Sequence, residues 1–201
     1  MKIVELIRDS HQEFGDNHCM VLFSQGCNFK CHNCYNFDHV SSASPIGSAK
    51  DLLDRNITPM HEGVVFLGGE PTIWGDKLVE AARHAKQMGL KVKVFTNGSN
   101  PEVVAKLIEN QVIDSFSVDA KCVKNCKFML GIDMEEGDYL KRLRETIRII
   151  KGVDVDVEIR TTDLVPRETL DVVDFVKTEF PGVNHIIQKD FHENALRLAF
   201  A

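Results

Sequence analysis

The sequence predicts an α/β protein built as a partial open (β/α)6 barrel. Three observations carry that expectation. Six short β-branched runs alternate with amphipathic helical stretches along the chain. Several runs are apolar without clean alternation, as parallel strands covered on both faces are. The chain has 201 residues, short of the ~250 that a closed eight-stranded barrel usually takes. Right-handed crossovers would give an open doubly wound sheet or a barrel, and six units suggest a barrel left open.

The candidate strands are 20–24 (MVLFS), 64–67 (VVFL), 91–95 (KVKVF), 113–118 (IDSFSV), 155–160 (VDVEIR) and 185–188 (HIIQ). A short helix over about 48–55 starts at Ser48. Residues 76–88 place Leu78, Val79, Ala82 and Ala85 on one face, and Gly89 stops that helix. Asn100 and Pro101 form an N-cap and first-turn pair for a helix carrying Val103, Val104, Leu107 and Ile108. Leu140, Leu143, Ile147 and Ile150 stripe the next helix as core, and Gly152 closes it. A last helix, 167–179, ends before Pro181-Gly182. Segments 37–62 and 121–137 are the least regular, the first a loop with a short helix. One domain over 1–201 is expected, with its core at about 16–190 after a short N-terminal segment, 1–15.

The 24 basic and 30 acidic residues leave a formal charge of −6, and no basic stripe points to nucleic acid. No apolar run nears the ~18 residues that cross a bilayer, and MKIVELIRDS carries charges through its apolar residues, unlike a secretory signal. A cytoplasmic location is expected, where thiols stay free or bind metal.

The polar motifs share one address. Cys27, Cys31 and Cys34 follow the first candidate strand, GGEPT (68–72) the second, TNGSN (96–100) the third and DAK (119–121) the fourth; RTT (160–162) ends the fifth and Gln188 the sixth. These are the carboxyl ends of the strands, where parallel barrels build their sites. Three thiols with three and two residues between them can wrap one metal or cluster from a short loop. Zinc wants a fourth ligand, and neither His32 nor Cys19 extends a standard zinc spacing. A [4Fe–4S] cluster normally takes four cysteines, so three leave one iron open to a small molecule. Read blandly, the triplet is a zinc loop or three buried thiols, TNG a helix-entry turn, and Asp119 with Lys121 a surface pair. Cys122 and Cys126 are incidental thiols or a weak metal or redox pair, and His192 is structural or exposed.

Cys-x3-Cys-x2-Cys followed by Gly-Gly-Glu-Pro resembles the radical S-adenosylmethionine (SAM) enzymes, whose fold is a partial (β/α)6 barrel. The resemblance implies a [4Fe–4S] cluster on Cys27, Cys31 and Cys34, with SAM on the open iron. One electron from the cluster then cleaves the sulfonium, giving a 5′-deoxyadenosyl radical that abstracts hydrogen. The backbone at Gly68, Gly69 and Glu70, with Pro71 after it, would meet the methionine amino group. Asn33 stands where relatives often have an aromatic residue, and Tyr35 follows the third cysteine; this CYN resembles the anaerobic ribonucleotide reductase activases. Residues 96–121, 158–166 and 186–196 resemble those and related glycyl-radical activases. The resemblance places Thr96, Asn97, Asp119, Lys121, Arg160 and Gln188 by the cofactor, with Arg160 set for its carboxylate or for the partner's backbone. Two departures stand out: Phe95, where formate-lyase activases have an acidic residue implicated in a cation site, and EFGDNH (13–18), where relatives often read Asp-Gly-Pro-Gly.

The implied function is SAM-dependent formation of a glycyl radical on an anaerobic ribonucleotide reductase, fed by a low-potential donor such as flavodoxin, with no nucleic-acid or membrane partner. Rival readings are an activase of a pyruvate formate-lyase type enzyme, a small-molecule enzyme such as 7-carboxy-7-deazaguanine synthase, and a non-catalytic zinc or iron–sulfur module.

Overall fold

The computed structural model describes residues 1–32, 34–37, 43–163 and 165–189. Asn33, His192 and the stretch 190–196 of the last motif lie outside the described residues. In chain order the elements are β1 (Lys2–Ser10), β2 (Cys19–Ser24), β3 (Gly47–Ser48), α1 (Ala49–Asn56) and β4 (Gly63–Gly68). A 3-10 turn (Pro71–Trp74), α2 (Asp76–Gln87), β5 (Lys91–Thr96), α3 (Pro101–Glu109) and β6 (Ser115–Asp119) follow. The chain continues through α4 (Cys126–Leu130), α5 (Glu136–Lys151), β7 (Asp156–Asp163), α6 (Pro166–Glu179) and β8 (Asn184–Lys189).

All six expected strands form, and they run parallel in the order β2-β4-β5-β6-β7-β8. The sheet is not closed: β3 and β8 are its two edges. Beyond the six, β1 pairs antiparallel with β2, and the two-residue β3 pairs with β1. Residues 2–10, read in sequence as a segment ahead of the core, therefore belong to the sheet, with Ile3 and Val4 buried. Among the described residues no helix is long and apolar enough to cross a membrane.

Alternation along the strands sorts two faces. Met20, Leu22, Val64, Phe66, Val92, Val94, Phe116, Val118 and Ile159 pack with Leu53, Leu78, Val104, Leu143 and Val172 of the helices in the main core. Their strand neighbours Cys19, Val21, Phe23, Val65, Leu67 and Phe95 form a second cluster with Phe14 on the opposite face. That second face carries the site, and the polar residues of β5 to β8 continue it.

Helix punctuation follows the residues. Ser48 caps α1, its hydroxyl accepting from the Asp51 N–H at 3.2 Å. Asn100 holds the N-cap position of α3 but does not cap with its side chain, which donates instead to the Thr72 hydroxyl at 2.8 Å. Pro101 supplies the fixed φ of the first turn, and the loop gains a tie to the neighbouring strand's turn. The irregular segment 121–137 contains α4, whose Cys126 is disulfide-bonded to Cys122. Both cysteines are fully buried, and of the readings of this pair the structure has them joined rather than as two free thiols.

Candidate active site

A cleft of about 330 Å³ opens at the carboxyl ends of the parallel strands. Cys27, Cys31, Cys34, Tyr35, Gly69, Glu70, Thr96, Asn97, Asp119, Lys121, Arg160 and Gln188 all line it. Of the cluster and cofactor residues that the resemblance implies, only Gly68 and Pro71 do not. Gly68 backs onto β2, where a Cβ would meet the Ser24 nitrogen at 2.5 Å and the Phe23 Cα at 2.7 Å. Its φ of +112° is also a conformation that side chains resist. Pro71 opens the 3-10 turn and is buried there.

The cysteine loop is held by three neighbouring turns. The Gly69 and Glu70 N–H groups donate to the Ser24 and Gly26 carbonyls at 3.1 and 2.9 Å. The Asn36 side chain donates to the Gly68 carbonyl at 3.1 Å, fixing the loop's far end. From the next strand, the Asn97 side chain donates to Asn28 Oδ1 at 2.9 Å, and Asn28 donates to the Ser99 hydroxyl at 2.8 Å. On the third side the Lys30 N–H donates to the Leu130 carbonyl at 2.9 Å, and His32 stacks on Phe128 with ring centroids 4.4 Å apart.

Glu70 is the hub of the second turn. It is 1% exposed, and its carboxylate accepts from the Thr72 N–H (3.1 Å), the Thr72 hydroxyl (2.5 Å), the Thr96 hydroxyl (2.8 Å) and the Asn97 N–H (2.6 Å). Burial pushes its carboxyl above the ordinary range, and the four donors pull it back. The side chain thus spans two strand ends, and its role is bracing.

At the end of β6, Lys121 Nζ lies 3.0 Å from Asp119 Oδ2. Burial acts against the Lys121 ammonium, but the Asp119 carboxylate and the Cys31 sulfur outweigh it and raise the group above its ordinary range. The buried Tyr139 hydroxyl accepts from the Lys121 N–H at 3.2 Å and donates to the Asp119 carbonyl at 3.3 Å. Tyr139 sits inside a helical stripe, where sequence offers no signal for this duty.

Arg160 is loosely satisfied. Its Nη1 is 3.6 Å from Glu13 Oε2 and its Nε 4.0 Å from Glu158 Oε1, and Nε is buried with no hydrogen bond among the described residues. Below it, Lys93 pairs with Glu158 at 3.0 Å, both largely buried. The Phe95 ring has both Lys93 Nζ and the Arg160 guanidinium 5.0 Å from its centroid. With Phe14, these side chains fill the lower half of the cleft face. Lys93 and Glu158 were missed in sequence because charged residues in a strand read as solvent-facing, and Glu13 because it lies in the β1–β2 connection.

This donor set fits a cluster with an open position. Among the described residues Cys27, Cys31 and Cys34 are free thiols that line one cleft from an eight-residue loop. Burial pushes the Cys27 thiol up to about 12, against the pull of the Phe29 N–H, and pushes Cys31 up as well. Such thiols hold their protons unless metal displaces them. The cleft's volume is at the low end of the about 300–1,000 Å³ of small-ligand sites.

Comparison with known proteins decides the family. The Radical SAM superfamily profile matches residues 21–179. The chain belongs to the radical SAM superfamily. Enzymes of this family use a [4Fe–4S] cluster and SAM. The chain is 34% identical over 161 residues to a protein of Methanocaldococcus jannaschii named provisionally as a glycyl-radical enzyme activating enzyme, covering 79% of this chain and 67% of that one. It is 26% identical to an S-adenosylmethionine-dependent nucleotide dehydratase of Psychrobacter lutiphocae (86% of this chain, 65% of that one). It is also 26% identical to a pyruvate formate-lyase-activating enzyme of Listeria monocytogenes (86% and 74%). The radical SAM fold is shared with the solved structure of anSMEcpe with bound AdoMet, at a TM-score of 0.55 and 21% identity, over 82% of this chain and 47% of that one.

Proposed function

We propose that this radical SAM chain is an activase that forms a glycyl radical on an anaerobic ribonucleotide reductase, taking its electron from a low-potential donor such as flavodoxin in the cytoplasm. Cys27, Cys31 and Cys34 hold the cluster in this reading. Bound there, cluster and SAM together supply reductive cleavage of the sulfonium and the abstraction of a hydrogen atom.

The observation that carries the reading is the size and closure of the cleft. Its 330 Å³ is lined below by Phe23, Leu67 and Phe95, which pack on the cluster around Phe14. One small ligand fills such a space, so the substrate's reacting carbon reaches in from the open side, as a protruding peptide segment can. The similarity to the Methanocaldococcus protein supports an activase, and Cys34-Tyr35-Asn36 and Phe95 support the reductase partner over the formate-lyase type.

The chain's own residues supply positioning. Asn28, Asn97 and Ser99 hold the cysteine loop, and Glu70 sets the turn whose backbone faces the ligand. Asp119, its neighbour Lys121 and the donor-rich Arg160 present charge to the ligand's amino, carboxylate and hydroxyl groups. Phe29, edge-on to Tyr139 at 5.8 Å, keeps water from behind the loop.

The test is anaerobic incubation of reconstituted enzyme, SAM and reductant with a glycyl-radical ribonucleotide reductase or with a pyruvate formate-lyase. A glycyl doublet in the EPR spectrum of the reductase alone is the expected result. A doublet only on the lyase moves the assignment to that partner, and SAM cleavage without radical on either overturns the activase reading.

A further inference from the structure

At the opposite end of the sheet, where β2 and β4 begin, the geometry points to a second metal site, for one divalent transition metal of the zinc class, on Asp9, His18 and His61. Asp9 Oδ1 lies 3.0 Å from His18 Nε2 and 3.6 Å from His61 Nε2, and the three ligand atoms all fall within 4.8 Å of one another. Zinc takes imidazole and carboxylate ligands at about 2.0–2.2 Å, so a tetrahedral site spaces its donors roughly 3.3–3.6 Å apart. The two Asp9 separations lie within about 0.3 Å of that spacing, and the two histidine nitrogens lie within 4.8 Å of each other.

His18 is oriented as a ligand. Its Nδ1 lies 3.1 Å from the Met60 carbonyl, which can only accept, so Nδ1 carries the hydrogen. A ring nitrogen anchored on a backbone carbonyl is the usual outer support of a metal-bound histidine. Nε2 of the neutral ring then aims its lone pair at the Asp9 carboxylate, and two acceptors 3.0 Å apart call for a cation between them. His11 and His61 stack on the two faces of the ring, at 4.7 and 4.8 Å between centroids, so the ring is fixed in its plane. The Glu62 carboxylate accepts from the His18 N–H at 3.0 Å and adds negative charge nearby.

His61 is the ligand that must adjust. Its Nδ1 accepts from the Thr58 N–H at 3.0 Å and its Nε2 donates to the Arg8 carbonyl at 2.8 Å. To coordinate, the ring tilts out of the stack, releases the Arg8 carbonyl and shifts its hydrogen to Nδ1, giving up the bond from the Thr58 N–H and donating instead to the Thr58 hydroxyl 3.0 Å away. With Asp9 exposed, water completes the shell. The metal would tie the end of β1, the β1–β2 connection and the loop before β4; none of its three ligands lines the SAM cleft, and only Glu13 of these segments reaches it. A second proton on His18 would also relieve the facing acceptors, and the experiment separates the two.

The test is to add Zn²⁺ to the anaerobically reconstituted enzyme, desalt it, count zinc per chain and record the zinc K-edge absorption. The expected result is one retained zinc with a nitrogen/oxygen shell near 2.0–2.1 Å and no sulfur shell near 2.3 Å. Asp9→Asn and His18→Gln are expected to bind at least about tenfold more weakly, and zinc to raise the wild-type Tm but not theirs. A wild type that retains no zinc, holds it only through sulfur, or matches the two variants overturns the site and leaves protonation as the account of His18. If a variant does not fold, the wild-type K-edge still decides.

Discussion

The Asn97 backbone N–H donates to the Glu70 carboxylate across 2.6 Å, and the Asn97 side chain continues to Asn28, one residue past Cys27. Three strand ends are thereby locked together by three side chains, Glu70, Asn97 and Asn28. Glu70→Ala removes the acceptor of four buried donors and is expected to cost about 3 kcal/mol, the size of a broken buried network. Urea denaturation of the metal-free protein measures this; a loss under 1 kcal/mol would mean that water takes over the acceptor's place.

Gly68→Ala tests the turn's backbone. An added Cβ would meet β2 main-chain atoms at 2.5–2.8 Å while φ stays at +112°. Backbone cannot give way as a side chain can, so a loss of about 3 kcal/mol or more is expected. A thermal melt within a few degrees of wild type would contradict it.

The Lys93–Glu158 pair separates packing from charge. Lys93→Met leaves Glu158 as a buried charge whose nearest remaining cation is Arg160 Nε at 4.0 Å, and about 3 kcal/mol of destabilisation is expected. Lys93→Met with Glu158→Leu restores most of it, because an apolar pair of similar volume can replace a buried ion pair. Additive losses in this double-mutant cycle would show that the two side chains act independently.

Arg144 grips Glu179 through Nε and Nη2 at 2.6–2.8 Å, joining α5 to α6. The guanidinium holds the Glu179 carboxyl below its ordinary value of 4.5. A depressed folded-state value contributes stability above the unfolded value, which is lost as pH falls through the folded one. At pH 7, Glu179→Gln should cost about 1 kcal/mol. That gap should shrink as the wild type is taken below pH about 4. A gap unchanged down to pH about 3 would contradict the assignment.

Legibility divides along physical lines. β2 and β4 were readable because they are covered on both faces and so are apolar throughout, as MVLFS and VVFL are, and β5 to β8 were readable from their β-branched residues between helical stretches. β1 was not read as a strand: it is exposed over Ile7, Arg8 and Asp9 and pairs antiparallel beside the barrel, so its charges mask the pattern. The cysteine loop and the turns after each strand were readable from spacing. The residues that hold them, Asn28, Tyr139 and the Lys93–Glu158 pair, depend on contacts between distant segments and leave no local mark. Glu70 was found for its backbone, while its side chain proved to be the brace.

The measurement that tests the account most directly is EPR of the anaerobically reconstituted, reduced protein with and without SAM, alongside an assay for 5′-deoxyadenosine and Cys31→Ala as control. The account predicts a [4Fe–4S] signal perturbed by SAM, with deoxyadenosine formed, and both lost in the variant. A protein that holds only zinc at the thiols, or a cluster that does not respond to SAM, would contradict it.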